Sequence, residues 1–116
     1  MSVVSASKVA YEPLRSLAFG SIGAAYVQVG DATSNPIRSI KIQNFTDQNL
    51  LISYDGTTDH DAIAASGYFV WDYSSNKSNQ GGFFEQAQGT KFYVKQESAG
   101  PTLGNVYITV IYASQV

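Results

Sequence analysis

The chain has one histidine, His60, in the run Asp55-Gly56-Thr57-Thr58-Asp59-His60-Asp61. Three carboxylates around one imidazole suggest two chemistries. Asp55, Asp59 and Asp61 could offer oxygens to a hard cation such as calcium, although the bidentate Glu that closes an EF-hand loop is missing. His60 could instead move a proton, with Asp59 or Asp61 orienting its ring. A third reading needs no chemistry. Asp55-Gly56 is a turn signal between two strands, because Gly takes positive φ without steric cost and Asp caps its own turn. Turn chemistry alone accounts for the local Asp and Gly content, and it is the preferred reading.

The remaining catalytic inventory is thin. There is no cysteine, so neither a thiolate nucleophile nor a disulfide framework is available. Serine is abundant, but no Gly-x-Ser-x-Gly elbow occurs, and Ser66-Gly67 reads as a turn. Gly81-Gly82 is followed by no Lys-Ser/Thr pair, so no phosphate cradle is expected. The chain is therefore expected to be non-enzymatic, with no cofactor and no resident metal.

Aromatic residues are more informative. Tyr54, Tyr68, Phe69, Trp71 and Tyr73 cluster in sequence. Exposed Tyr and Trp make stacking platforms for sugars and anchors for protein interfaces. They also favour strands and fill sandwich cores. Core packing is the preferred reading for Trp71. Tyr68 points to the opposite face of the same strand and is left open between core and contact.

The elements that must position these residues read as β structure. Ile40 and Ile42 alternate with Lys41 and Gln43; Leu50, Ile52 and Tyr54 alternate with Leu51 and Ser53; Phe69, Trp71 and Tyr73 alternate with Val70 and Asp72. A period of two marks strands with one face buried. Further short strands are expected around Leu17–Phe19, Tyr26–Val29, Phe83–Phe84, residues 91–96 and residues 106–112. The last carries apolar groups on both faces, Val106, Ile108 and Val110 against Tyr107 and Ile111, so it is expected to be central. Residues 74–82 are rich in Ser, Asn and Gly and read as an exposed loop. No helix-period segment and no internal repeat is present. The expected fold is all-β, an antiparallel β-sandwich of about eight strands, jelly-roll preferred and an immunoglobulin-like order as the alternative.

A chain of 116 residues is one domain. Residues 14–116 are expected to form it, and residues 1–13 a flexible N-terminal arm ending at Pro13. The arm frays, or it crosses onto a neighbouring subunit; in the second case Val3, Val4, Val9 and Tyr11 would make contacts, together with Tyr68 and Trp71 on the sandwich. The formal charge of −2 argues against nucleic acid, whose phosphates need a basic stripe. Charged residues make up 14% of the chain against about 25% on average, so a partner surface would have few charges to desolvate. Neither a secretory leader nor a membrane span is expected. The sequons at Asn44 and Asn76 then read as chance.

Residues 38–56, RSIKIQNFTDQNLLISYDG, with Asp59-His60, residues 65–68 (ASGY), residues 89–95 (GTKFYVK) and residues 104–112 (GNVYITVIY), resemble small β-sandwich virion structural proteins of tailed bacteriophages. The resemblance spans roughly residues 17–113 and carries no catalytic or ligand residues. It implies a non-enzymatic capsid decoration (cement) protein that stabilises the head by binding across capsid subunits, or a head–tail or tail accessory protein. The implied partners are the major capsid protein, other virion proteins and further copies of the chain in a homo-oligomer. The implied location is the virion, assembled in the host cytoplasm. A carbohydrate- or receptor-binding module, such as a head fibre or host-attachment domain, is the alternative raised by the aromatic cluster.

Overall fold

The structure, a computed structural model, describes residues 7–73 and 85–115. Among the described residues, nine strands follow in chain order: β1 (Ser7–Tyr11), β2 (Arg15–Ala18), β3 (Val27–Gln28), β4 (Ser39–Asn44), β5 (Leu50–Ser53), β6 (Asp61–Ile63), β7 (Tyr68–Asp72), β8 (Tyr93–Gln96) and β9 (Asn105–Gln115). A 3-10 turn, Phe19–Ser21, follows β2. No helix among the described residues is long and apolar enough to cross a membrane.

The strands form two antiparallel sheets packed as a sandwich. One is five-stranded, ordered β1-β9-β4-β7 with β2 also on β9; the other is four-stranded, ordered β3-β8-β5-β6. Alternation decides which side chains face inward. Ile40 and Ile42 of β4 and Val106, Ile108 and Val110 of β9 point in from the first sheet, and Leu50, Ile52 and Val94 belong to the second. With Val29, Ile37 and Phe92 they make a core in which each of these side chains is fully buried. As expected, β9 is central, flanked by β1 and β2 on one side and by β4 on the other.

Several boundaries differ from the sequence reading. Ser7–Tyr11, placed in the arm, pairs antiparallel with residues 111–115 of β9. Its pattern is weak because β1 is an edge strand: Val9 and Tyr11 are exposed at 70% and 65%, so burial left no signature. β1 and β2 run along the same edge of β9, one after the other. Tyr11 opposes Ile111 and Arg15 opposes Ile108, so three residues of the edge strand stand against two of β9. That is a bulge, and it holds Pro13, which has no N–H to give the ladder. The expected hairpin from Asp55-Gly56 straight into the next long strand is also revised. The chain first makes β6, which pairs with β5, and then crosses to the other sheet for β7. β6 is only three residues long, too short to show a period. The strand expected at Phe83–Phe84, the loop expected at 74–82, and Val3 and Val4 lie outside the described residues.

Candidate functional site

The Asp–His loop is built into the fold. Asp55 Oδ1 accepts hydrogen bonds from the backbone N–H groups of Thr57 (2.8 Å) and Thr58 (2.7 Å) and from the Ser53 hydroxyl (2.8 Å). These donors, the Thr58 and Thr57 amides foremost, hold its carboxyl well below the usual carboxylate range. Gly56 takes φ 83°, and the Tyr93 ring packs close against it. Asp59 Oδ1 accepts from the Tyr26 hydroxyl at 2.5 Å and lies 3.5 Å from Lys95 Nζ. Burial and that bond push the Tyr26 hydroxyl above its ordinary value, and the same bond draws Asp59 below its own. His60 Nδ1 accepts the Tyr54 N–H at 3.0 Å, while its Nε2 stands 3.9 Å from Asp55. Asp61 Oδ1 accepts the N–H of Ala62. Among the described residues, no group of three His, Cys, Asp or Glu side chains is placed to share a metal ion. The loop thus folds over the outside of the four-stranded sheet, against Tyr93, Lys95 and Tyr26, and its polar atoms are engaged in holding it there.

The outer face of the five-stranded sheet is different. Directly opposed residues share a face, so the ladders define rows. One row is Tyr11, Ile111, Ser39 and Asp72; the next is Thr109, Lys41 and Val70; the next is Ser16, Tyr107, Gln43 and Tyr68. Val9 and Ala113 extend the first row by one step. Phe45 follows β4 on the same face and meets the Tyr107 ring edge-on at 5.7 Å. Tyr68, Val70 and Phe45 are exposed at 70%, 54% and 53%, and with Val9 and Tyr11 on the opposite edge they give this face apolar and aromatic groups open to solvent on both sides of β9 and β4. At one end it runs into a groove of about 360 Å³ whose lining includes Lys8, Arg38 and Asp72. Between the exposed edges, the central strands present Ile111, Thr109 and Tyr107 on β9 and Ser39, Lys41 and Gln43 on β4, a mixture of apolar and polar groups such as protein-binding faces carry.

Of the expected contact residues, the fold places Val9 and Tyr11 on one edge of this face and Tyr68 on the other. Trp71 is not among them. It projects from the opposite side of β7, paired with Ile40 and packed edge-on against Phe69 at 6.1 Å. The expectation that it is core is corrected, because 48% of it remains exposed. β7 is the last strand of its sheet, so its inward face is flanked on one side only. Sequence reasoning missed Phe45, Val70, Tyr107 and Ile111 as surface candidates. The signal was available in β9, whose two apolar faces were read only as a sign of centrality.

Sequence reasoning also missed a buried ion pair at the bulge. Arg15 Nη2 donates to Glu12 Oε1 at 2.8 Å, with 7% and 4% of the two side chains exposed. Glu12 Oε2 accepts from the backbone N–H groups of Ser34 and Asn35 and from the Asn35 side chain, each at 3.0 Å. Arg15 Nε donates to the Asp31 carbonyl at 2.9 Å. The pair clamps the bulged edge strand to the loop before β4. Burial raises the Glu12 carboxyl, but its bonds with Arg15, Asn35 and Ser34 outweigh this and leave it below the ordinary value.

A pH dependence follows with a definite sign. Glu12, Asp47, Asp55 and Asp59 all have native values below their ordinary ones. The unfolded chain therefore takes up protons first as pH falls. Their contribution is fully present above about pH 4–4.5 and is lost progressively below it. Urea-unfolding midpoints are expected to be level from pH 7 to 5 and to fall towards pH 3. Replacing Glu12 with Gln should make the acid-side fall shallower. An unchanged acid slope in Glu12→Gln would mean that this carboxylate is not one of its sources.

Compared with protein-family models, with curated proteins and with solved structures, the chain finds no match.

Proposed function

We propose that this chain is a non-enzymatic virion structural protein that works by docking against other protein, with capsid decoration as the leading role. The observation that carries the docking part is the outer face of the five-stranded sheet, where Val9 and Tyr11 stand exposed on one edge strand, Tyr68 and Val70 on the other, and Phe45 just past the end of β4. Contiguous apolar patches of a few hundred Å² on a small domain mark interaction sites. The phage role rests on the sequence resemblance. The strand order adds support, since the chain changes sheets at most connections and its last strand pairs beside its first, as in a jelly roll. A decoration protein that binds only the assembled shell adds its binding free energy to the stability of that state.

The test is the copy number of this chain in purified phage particles, measured by quantitative mass spectrometry against the major capsid protein. A stoichiometry comparable to that of the capsid protein supports shell decoration. A small ring's worth points to the head–tail or tail accessory role, because such positions obey cyclic symmetry. Absence from particles overturns the virion reading.

A second reading draws on Trp71 and Tyr68, part-exposed on opposite sides of β7, either of which could stack a sugar face. It requires glycan affinity that Trp71→Ala or Tyr68→Ala abolishes. A glycan array with no signal from folded protein would eliminate it.

A further inference from the structure

The two sheets do not treat their outer faces alike. The four-stranded sheet is covered in part by the chain's own loop, through Tyr93 against Gly56 and through Asp59 against Tyr26 and Lys95. The five-stranded sheet leaves Tyr68 and Val70 exposed on its edge strand β7, Phe45 exposed just past the end of β4, and Val9 and Tyr11 exposed on the opposite edge. We propose that this face binds a second copy of the same chain, face to face about a two-fold axis. The inference names the partner of the docking surface described above and rests on that reading of it.

Three features favour a second copy. The first is area. Four strands abreast at about 4.8 Å, presenting some 20–24 Å of length, give a face of roughly 450 Å². Two such faces pressed together bury roughly 800–900 Å², the size of a weak, concentration-dependent pair. The second is charge. The ladder rows of the face hold two charged side chains, Lys41 on β4 and Asp72 on β7, offset by one strand and one row. In an isologous contact, if residue i meets residue j then j also meets i. One two-fold axis therefore sets each Lys41 against its partner's Asp72, giving two ion pairs. A carboxylate has about four acceptor sites, so Asp72 can take this bond in addition to its contacts within the chain. The third is texture. Tyr and Val on a flat pleated surface pack well against another such surface, as two sheets do inside the sandwich itself.

The experiment is sedimentation velocity on the full chain over a wide concentration series. The expected species has twice the chain mass of 12.5 kDa. Val70→Asp, at an outward position beside Lys41, should weaken the pair by at least about 30-fold, since it buries an unpaired carboxylate in the contact. Lys41→Asp should weaken it too, and Lys41→Asp combined with Asp72→Lys should restore it. Ala62→Asp, exposed on β6 of the other sheet, should leave the pair intact. Circular dichroism confirms that each variant is folded. A monomer at every concentration overturns the proposal. So does a dimer indifferent to Val70→Asp, or a charge swap that restores nothing. The two readings fail separately: a monomer abundant in particles refutes the self-contact alone, and a dimer missing from particles refutes the virion role alone.

Discussion

Gly104→Ala is expected to cost about 4 kcal/mol or more, a large part of the 5–15 kcal/mol that holds a typical domain together. Gly104 adopts φ 89° just before β9. A Cβ there would collide with the Phe45 carbonyl oxygen and lie 2.7 Å from its carbon and 3.0 Å from the Thr46 Cα. All three are backbone atoms of the turn after β4, which cannot rotate away like a side-chain tip. That turn is also pinned, because Asn44 Oδ1 accepts from the Thr46 N–H at 2.9 Å and from its hydroxyl at 2.6 Å. The Phe45 N–H donates to the Asn105 carbonyl at 2.9 Å, so moving the turn also pulls on β9. Thermal unfolding should fall by about 15 °C or more. Gly89→Ala is the matched control. Gly89 has the same φ of 89°, but no atom stands within 4 Å of its would-be Cβ. Only the left-handed backbone cost of about 1–2 kcal/mol applies there. Equal losses in the two variants would show that the close approach to Phe45 contributes nothing.

The second large effect is expected at the bulge. Removing one member of the Glu12–Arg15 pair leaves its partner buried and uncompensated, at about 3–5 kcal/mol. Glu12→Ala also takes away the carboxylate that accepts from the N–H groups of Ser34 and Asn35. Arg15→Ala leaves the Glu12 carboxylate with those two amides and Asn35, but without a counter-charge. The double variant should therefore lose much less than the sum of the two single losses, because it removes both charges at once. Chemical denaturation of all four proteins gives the coupling. Additive single losses, or a loss under about 1 kcal/mol for Glu12→Ala, would mean that the pair is solvated and only decorates the edge.

Much of the sandwich was legible because β4, β5 and β9 obey one simple rule. Ile40 and Ile42, Leu50 and Ile52, and Val106, Ile108 and Val110 alternate with the pleat, and each lies at zero exposure. Where that rule lapses, the reading lapsed. β6 is too short to display a period, and β1 is half a ribbon with little to bury. The bulge holding Pro13 broke the edge strand into an arm and a strand. Trp71 fitted the inward parity of β7, and parity was read correctly; its burial was not, because burial depends on which strand is outermost.

The candidate site divides the same way. Composition and pattern by themselves determined that this is a low-charge β domain with little catalytic inventory, and they gave Asp55-Gly56 its turn. These are local properties, set by backbone preference and by the free energy of removing alternate side chains from water. Tertiary structure decided which residues meet. Val9 and Tyr68 are far apart in sequence and share a face only because β9 and β4 lie between their strands. Glu12 finds Ser34 and Asn35 only because the bulge turns it towards their loop. Such pairings depend on sheet order and register, and neither is encoded in the period of any one strand.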